Sequence, residues 1–241
     1  MKRLKNFLFL LAAVPVLALA SAAGPALDKA PVNLADQDSL QRGARTFVNY
    51  CLNCHSAGAM RYTRMQDLGL TEDQIKDNLL FASEKPGELM KVGMTKADAK
   101  AWFGAAPPDL SVIARSRGSD WLYTYLRSFY RDDTRGTGWN NVVFDKVGMP
   151  HVLWNLQGEM APVYKKHGEH EVLDHLELVK PGSMTLAEYD ALVGDLVNYL
   201  TWMGEPAQLQ RKQLGLIVLA FLAVFFVVAY YLKKEFWKDI H

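Results

Sequence analysis

Cys51, Leu52, Asn53, Cys54 and His55 form a C-x-x-C-H run, and its two cysteines are the only ones in the 241-residue chain. This spacing is the attachment signature of a c-type haem. Two thiols so placed can each add across one vinyl group of the same porphyrin, and the adjacent imidazole is carried beneath the iron as proximal ligand. A zinc site with four cysteine ligands is excluded by the cysteine count. A thioredoxin-like pair opens a helix after a strand, whereas the residues before Cys51 read as helical. Both thiols are consumed by one haem, and none is left for a structural disulfide.

The elements around the run must hold a flat cofactor from both sides. Asp36 to Asn53 places Leu40, Ala44, Phe47 and Cys51 at helical spacing, with Asp38 as candidate cap, so this helix delivers the cysteine pair at its C-terminal end. "HSAGAMRYTRM" after it reads as a loop, with Arg61 and Arg64 near the haem in sequence. Two short helices are expected over Thr71–Phe81 and Thr95–Phe103, each opened by its threonine. Pro107 and Pro108 fix an extended corner, after which Asp109 or Ser111 caps a short helix through Arg115. A further helix, Asp120–Tyr130, is rich in aromatic residues that can line a haem pocket.

From Arg131 to Gly158 there is little periodicity and much glycine, and a loop this long inside a compact domain is usually functional or disordered. It holds Met149 before Pro150, a thioether on a stiff segment and a reasonable sixth ligand. Ser183–Trp202 is the last amphipathic helix, with Thr185 and Glu188 as a capping box. The fold class is mostly α with long loops. A short hairpin around Glu171–Val179 is the one strand feature expected.

The ends read differently. Residues 1–23 combine Lys2, Arg3 and Lys5, an apolar run from Phe7 to Ala20, and small residues Ser21, Ala22 and Ala23, the pattern of a secretory signal. Leu214 to Leu232 is an uncharged apolar run, almost long enough to span the roughly 30 Å hydrocarbon core. Arg211 and Lys212 precede it, Lys233, Lys234 and Lys238 come after it, and Tyr230, Tyr231 and Trp237 anchor its far end. The expected organisation is a haem domain over 24–210 on the outer face, a membrane anchor over 211–234, and a short cytoplasmic tail over 235–241. A formal charge of +1 argues against nucleic acid as partner.

The whole chain resembles the cytochrome c1 family, the haem subunit of the cytochrome bc1 complex. The likeness is carried by "SLQRGARTFVNYCLNCHSA", the "PPDLS" corner followed by "ARSRG", the "VGMPHVLWNLQGE" segment and the single C-terminal anchor. It is nearest the proteobacterial branch and lacks several mitochondrial-type insertions. The resemblance implies one haem c held covalently by Cys51 and Cys54, with His55 as proximal and Met149 as distal iron ligand. It places Arg115 against a haem propionate, Pro108 along the haem, and Trp121 where mitochondrial relatives carry a tyrosine.

Met160, in "GEMAPVY", competes with Met149, and Met94 ranks third. Aligning "NNVVF" with the family favours Met149. His151, His167, His170 or His175 would instead give bis-histidine ligation and a lower potential than this role needs. The resemblance further implies electron transfer from a Rieske iron–sulfur protein to a cytochrome c, contact of the anchor with cytochrome b and membrane lipid, and a dimeric complex in the bacterial inner membrane with the haem domain in the periplasm. Acidic residues between Glu159 and Glu177, among them Glu169, Glu171 and Asp174, are candidates for attracting a basic cytochrome c. Two other readings are a monohaem subunit of a terminal oxidase and a membrane-tethered metal-binding or assembly protein using Cys51, Cys54 and His55.

Overall fold

The computed structural model describes residues 25–167 and 170–239. The signal segment expected over 1–23 lies outside them. Among the described residues helices dominate, with three two-stranded antiparallel sheets set between them.

The core is built where the first helix of the described residues crosses the last helix before the long C-terminal one. Helix α1 (Gln37–Thr46) is capped by Asp36, which accepts from the Ser39 N–H, rather than by Asp38. It lies across α7 (Leu186–Gly204), which opens with the expected capping box of Thr185 and Glu188. The two backbones approach so closely at Gly43 that a Cβ there would stand 2.1 Å from the Asp195 carbonyl oxygen. Only glycine fits that crossing. Phe47 and Tyr199, both fully buried, meet beside it with ring centroids 5.5 Å apart. Asn198, also fully buried, donates to the Asn33 carbonyl and the Ser39 hydroxyl and accepts from the Asn33 N–H, which ties down the segment before α1.

Between these helices run β1 (Ala57–Arg61), a 3₁₀ segment (Tyr62–Leu68), α2 (Glu72–Asn78), β2 (Leu89–Met90) and α3 (Lys96–Phe103). Thr71 and Thr95 cap α2 and α3, as their sequence signals require. The "HSAGAMRYTRM" segment is therefore not a loop: β1 pairs with β2, and Tyr62 and Met65 are fully buried.

Helix α4 (Ile113–Arg117) begins without a side-chain cap. Asp109 and Ser111 are occupied elsewhere: Asp109 accepts from the Gly58 and Ser111 N–H groups, and Ser111 accepts from the Ala59 N–H. Helix α5 (Ser119–Arg127) stops before the expected end at Tyr130, because Phe129–Arg131 (β3) pairs with Trp139–Asn141 (β4). The long segment 131–158 thus contains a strand and one further helical turn, α6 (Trp154–Gln157).

The hairpin expected around Glu171–Val179 is much larger, pairing β5 (Gly158–His167) with β6 (His170–Pro181) along its whole length. Few of its residues are buried, so the alternation of apolar and polar side chains that marks a one-sided sheet is missing. Helix α8 (Gln208–Phe236) succeeds α7 across a short turn at Pro206 and extends beyond the expected anchor at both ends. It is long and apolar enough to cross a membrane, and none of its residues is buried within the chain.

Candidate functional site

Between the turn after α1, the Pro107–Pro108 corner, α4, α5 and α7 lies a cavity of about 400 Å³, lined almost wholly by apolar side chains. Cys51, Cys54 and His55 contribute one stretch of its wall, Met149 and Pro150 another, and Leu196 and Leu200 of α7 also line it. Trp121 and Tyr125 of α5 and Phe144 of the irregular segment add aromatic surface.

The helix that delivers the cysteines is not α-helical to its end. Phe47–Cys51 is a π-turn, with the Leu52 N–H reaching the Phe47 carbonyl at 3.0 Å. Such a turn adds one residue to the hydrogen-bonded ring and rotates the residues after it, and it is found mostly at functional sites. Phe47 and Val48 stay in the core, while Tyr50 and Cys51 reach the cavity. Cys54 and His55 come next in a tight turn, both N–H groups bonding to the Cys51 carbonyl.

His55 is oriented by the proline corner. Its Nδ1 lies 2.8 Å from the Pro108 carbonyl oxygen, so the ring donates from Nδ1 and leaves Nε2 as the nitrogen with a free lone pair. Burial holds its pKa below the ordinary histidine value, against the raising effect of that bond. Burial likewise pushes the Cys51 thiol up to about 12. A thioredoxin-like redox cysteine carries the opposite shift. Among the described residues no three His, Cys, Asp or Glu side chains gather as a metal site.

Met149 sits on an irregular strap held by buried polar side chains. Asn141 accepts from the Val143 and Phe144 N–H groups and donates to the Tyr125 carbonyl. His151, only 2% exposed, stacks on Phe129 and bonds through Nε2 to Gln157. Burial lowers its pKa to about 4, so it is neutral at physiological pH. The Tyr125 hydroxyl stands 3.4 Å from the Met149 sulfur, and burial raises its pKa, so it is a protonated donor.

The competing ligands are placed elsewhere. Met160 is buried in β5, opposite Leu178, and does not line the cavity. Met94 lies in the loop before α3, also outside the lining. His151 faces Phe129 and Gln157, His175 is exposed on the hairpin beside Asp174, and His167 and His170 belong to the hairpin's tip.

Of the other expected site residues, Pro108 lines the cavity and Arg115 does not. Arg115 is exposed and lies against Gly204. Arg117, two residues on, lines the cavity instead, its guanidinium over Trp121 at 5.2 Å and near Phe144 at 5.9 Å from the ring centroids. On a helix, residues two apart point to nearly opposite faces, so one of the two arginines of "ARSRG" faces the cavity. The sequence of a five-residue helix carries too little periodicity to say which. Arg61 and Arg64 are also remote, Arg61 bonded to the Gly87 carbonyl and Arg64 paired with Asp67. The hairpin acids carry less free charge than their number implies: Asp174 is paired with Lys165 at 2.8 Å and His175 at 2.7 Å, and Glu159 with Lys180. Glu169 lies outside the described residues.

A helical shell around an apolar cavity, with a C-x-x-C-H turn in one wall and a thioether in another, defines the class of small electron carriers built on a c-type haem. The donor set fits that group: two thiols, an imidazole nitrogen with a free lone pair and a thioether line one cavity. The family model for the Cytochrome C1 family matches residues 28–240. The chain is 50% identical to "Cytochrome c1" of Allochromatium vinosum and 49% identical to a protein of Nitrosomonas europaea named "Ammonia monooxygenase gamma subunit", in each case over the full length of both chains. A chain of a solved "Hyperthermophilic respiratory Complex III" aligns over all of both chains at 14% identity, with a TM-score of 0.44. The chain belongs to the cytochrome c1 family: it is a membrane-anchored electron-transfer subunit of the cytochrome bc1 complex, carrying electrons there rather than acting as an enzyme alone.

Proposed function

We propose that the chain carries one haem, bound covalently through Cys51 and Cys54 with His55 and Met149 as axial ligands, and passes single electrons from a Rieske iron–sulfur protein to a cytochrome c. The observation that supports this most is the shared cavity: Met149 lines it together with Cys51, Cys54 and His55, whereas Met160 is packed in the hairpin. Bound haem supplies a one-electron ferric/ferrous couple. The residues do the rest. The Pro108 carbonyl orients His55 and makes its ring a better donor. The Met149 thioether favours ferrous iron and raises the potential. The apolar walls exclude water and disfavour a net positive centre, which adds to the same effect. Because it lines the cavity and Arg115 does not, Arg117 is the arginine we assign to a haem propionate.

Helix α8 anchors the haem domain at the outer face of the inner membrane, packs against cytochrome b and meets lipid elsewhere, in a dimeric complex. The domain limits that go with this are a signal over 1–23, a periplasmic haem domain over 24–210, an anchor over 211–234 and a cytoplasmic tail over 235–241.

Purification from membranes through a tag on this chain tests the reading. Co-purification of a b-type cytochrome and a Rieske protein, with haem that survives acid–acetone extraction, supports it. The name of the Nitrosomonas relative favours a second reading, a subunit of a monooxygenase. Recovery of monooxygenase subunits without a Rieske protein would select that one.

A further inference from the structure

The Tyr125 hydroxyl has one hydrogen-bond partner among the described residues, the sulfur of Met149, at 3.4 Å. The ring is not free to turn away. It stacks on Trp121 with centroids 4.7 Å apart and planes 11° from parallel, and it meets Phe129 edge-on at 5.0 Å. The backbone on both sides of this contact is fastened by one residue: Asn141 donates to the Tyr125 carbonyl at 2.8 Å and accepts from the Val143 and Phe144 N–H groups at 3.0 and 3.2 Å, on the strap that leads to Met149. Hydroxyl and sulfur are thus held against each other by a buried side chain that bonds to neither group.

We propose that Tyr125 is a tuning residue, whose hydroxyl donates to the thioether of Met149 and so sets how much electron density that sulfur gives to a metal. This rests on the assignment of Met149 as axial ligand. A thioether has two lone pairs, so one can bind a metal while the other accepts the hydroxyl proton. The hydrogen bond withdraws density from sulfur, and a poorer donor stabilises ferric iron less, so the bond raises the reduction potential. Apolar surroundings strengthen it, because no water competes for either partner.

The test is an equilibrium redox titration of the covalently bound haem in the intact membrane complex, for wild type and Tyr125→Phe, with the sulfur-to-iron charge-transfer absorption of the ferric form recorded alongside. Loss of the bond predicts a rise in the ferric-to-ferrous ratio at the wild-type midpoint, up to about fivefold if the whole ordinary net strength of a hydrogen bond distinguishes the two oxidation states, with the charge-transfer band retained. A tenfold rise would correspond to 59 mV for a one-electron couple. An unchanged ratio with the band retained overturns the role of Tyr125 and leaves Met149 as ligand. Absence of the band in the wild type overturns the ligand assignment itself. Should Tyr125→Phe not accumulate, 3-fluorotyrosine at position 125 is the second variant: a more acidic phenol donates more strongly and must move the midpoint upward, a sign that altered packing would not dictate. A downward or null shift there overturns the proposal.

Discussion

The two walls of the cavity are fastened by different means. In the wall that carries Cys51, Cys54 and His55, the turn's own bonds are local: the π-turn closes from Leu52 to Phe47, and Cys54 and His55 both bond to Cys51. Long-range bonds to the proline corner, among them His55 to the Pro108 carbonyl, Leu110 to the Ser56 carbonyl and Gly58 to Asp109, complete it. The Met149 wall has almost no regular structure and depends on buried side chains that act as backbone partners. Asn140 and Asn141 accept N–H groups of Asn141, Lys146, Val143 and Phe144, while His151 and Gln157 fix the far end of the strap. A wall made of a turn is specified by a few neighbouring residues. A wall made of a strap is specified by side chains that stand in for backbone partners, and by their ties to the Tyr125 and Arg127 carbonyls, 16 and 30 residues away.

The largest break in this comparison comes from removing the covalent attachment. Cys51→Ala combined with Cys54→Ala abolishes haem that resists acid–acetone extraction, measured on the denatured polypeptide, whatever the state of the Met149 wall. Next comes Asn141→Ala. Asn141 is 1% exposed, and its loss leaves several buried backbone groups without partners, so thermal or denaturant unfolding should show a destabilisation of about 2–4 kcal/mol. Asp109→Ala, on the opposite side, removes bonds from the Gly58 and Ser111 N–H groups at an exposed position. There water can take over, and the expected cost is about 1 kcal/mol in the same assay. Asn141→Ala costing less than Asp109→Ala would reverse the ranking of the two walls. The smallest effect separates the arginines: Arg117→Gln shifts the midpoint of the bound haem modestly, because a cation lining the cavity is lost and the ferric form is relieved of its repulsion, so the midpoint falls, whereas Arg115→Gln leaves it unchanged in the same redox titration.

The same contrast explains what the sequence made legible. The C-x-x-C-H turn, the threonine caps of α2 and α3, and the capping box of α7 are encoded by residues within a few positions of one another. The apolar run of α8 is visible for the same reason. The choice between Arg115 and Arg117 was out of reach, because α4 is too short to show which face is buried. The strand β4 was hidden, since Asn140 and Asn141 are poor strand formers retained for their side-chain bonds. The hairpin β5–β6 was seen in part because its exposed ribbon shows no alternation. Tyr125 carried no signal beyond being one aromatic of several, and only the fold brings it to Met149.

The central claim is that Met149, and not Met160, completes the iron's coordination. Its most direct test is ascorbate reduction of Met149→Leu and Met160→Leu in membranes, with the visible spectrum of the covalently bound haem recorded before and after. The account predicts that both variants keep the haem attached and that only Met149→Leu loses reducibility by ascorbate. Loss in Met160→Leu, with Met149→Leu behaving as wild type, would contradict it and move the distal ligand to the hairpin.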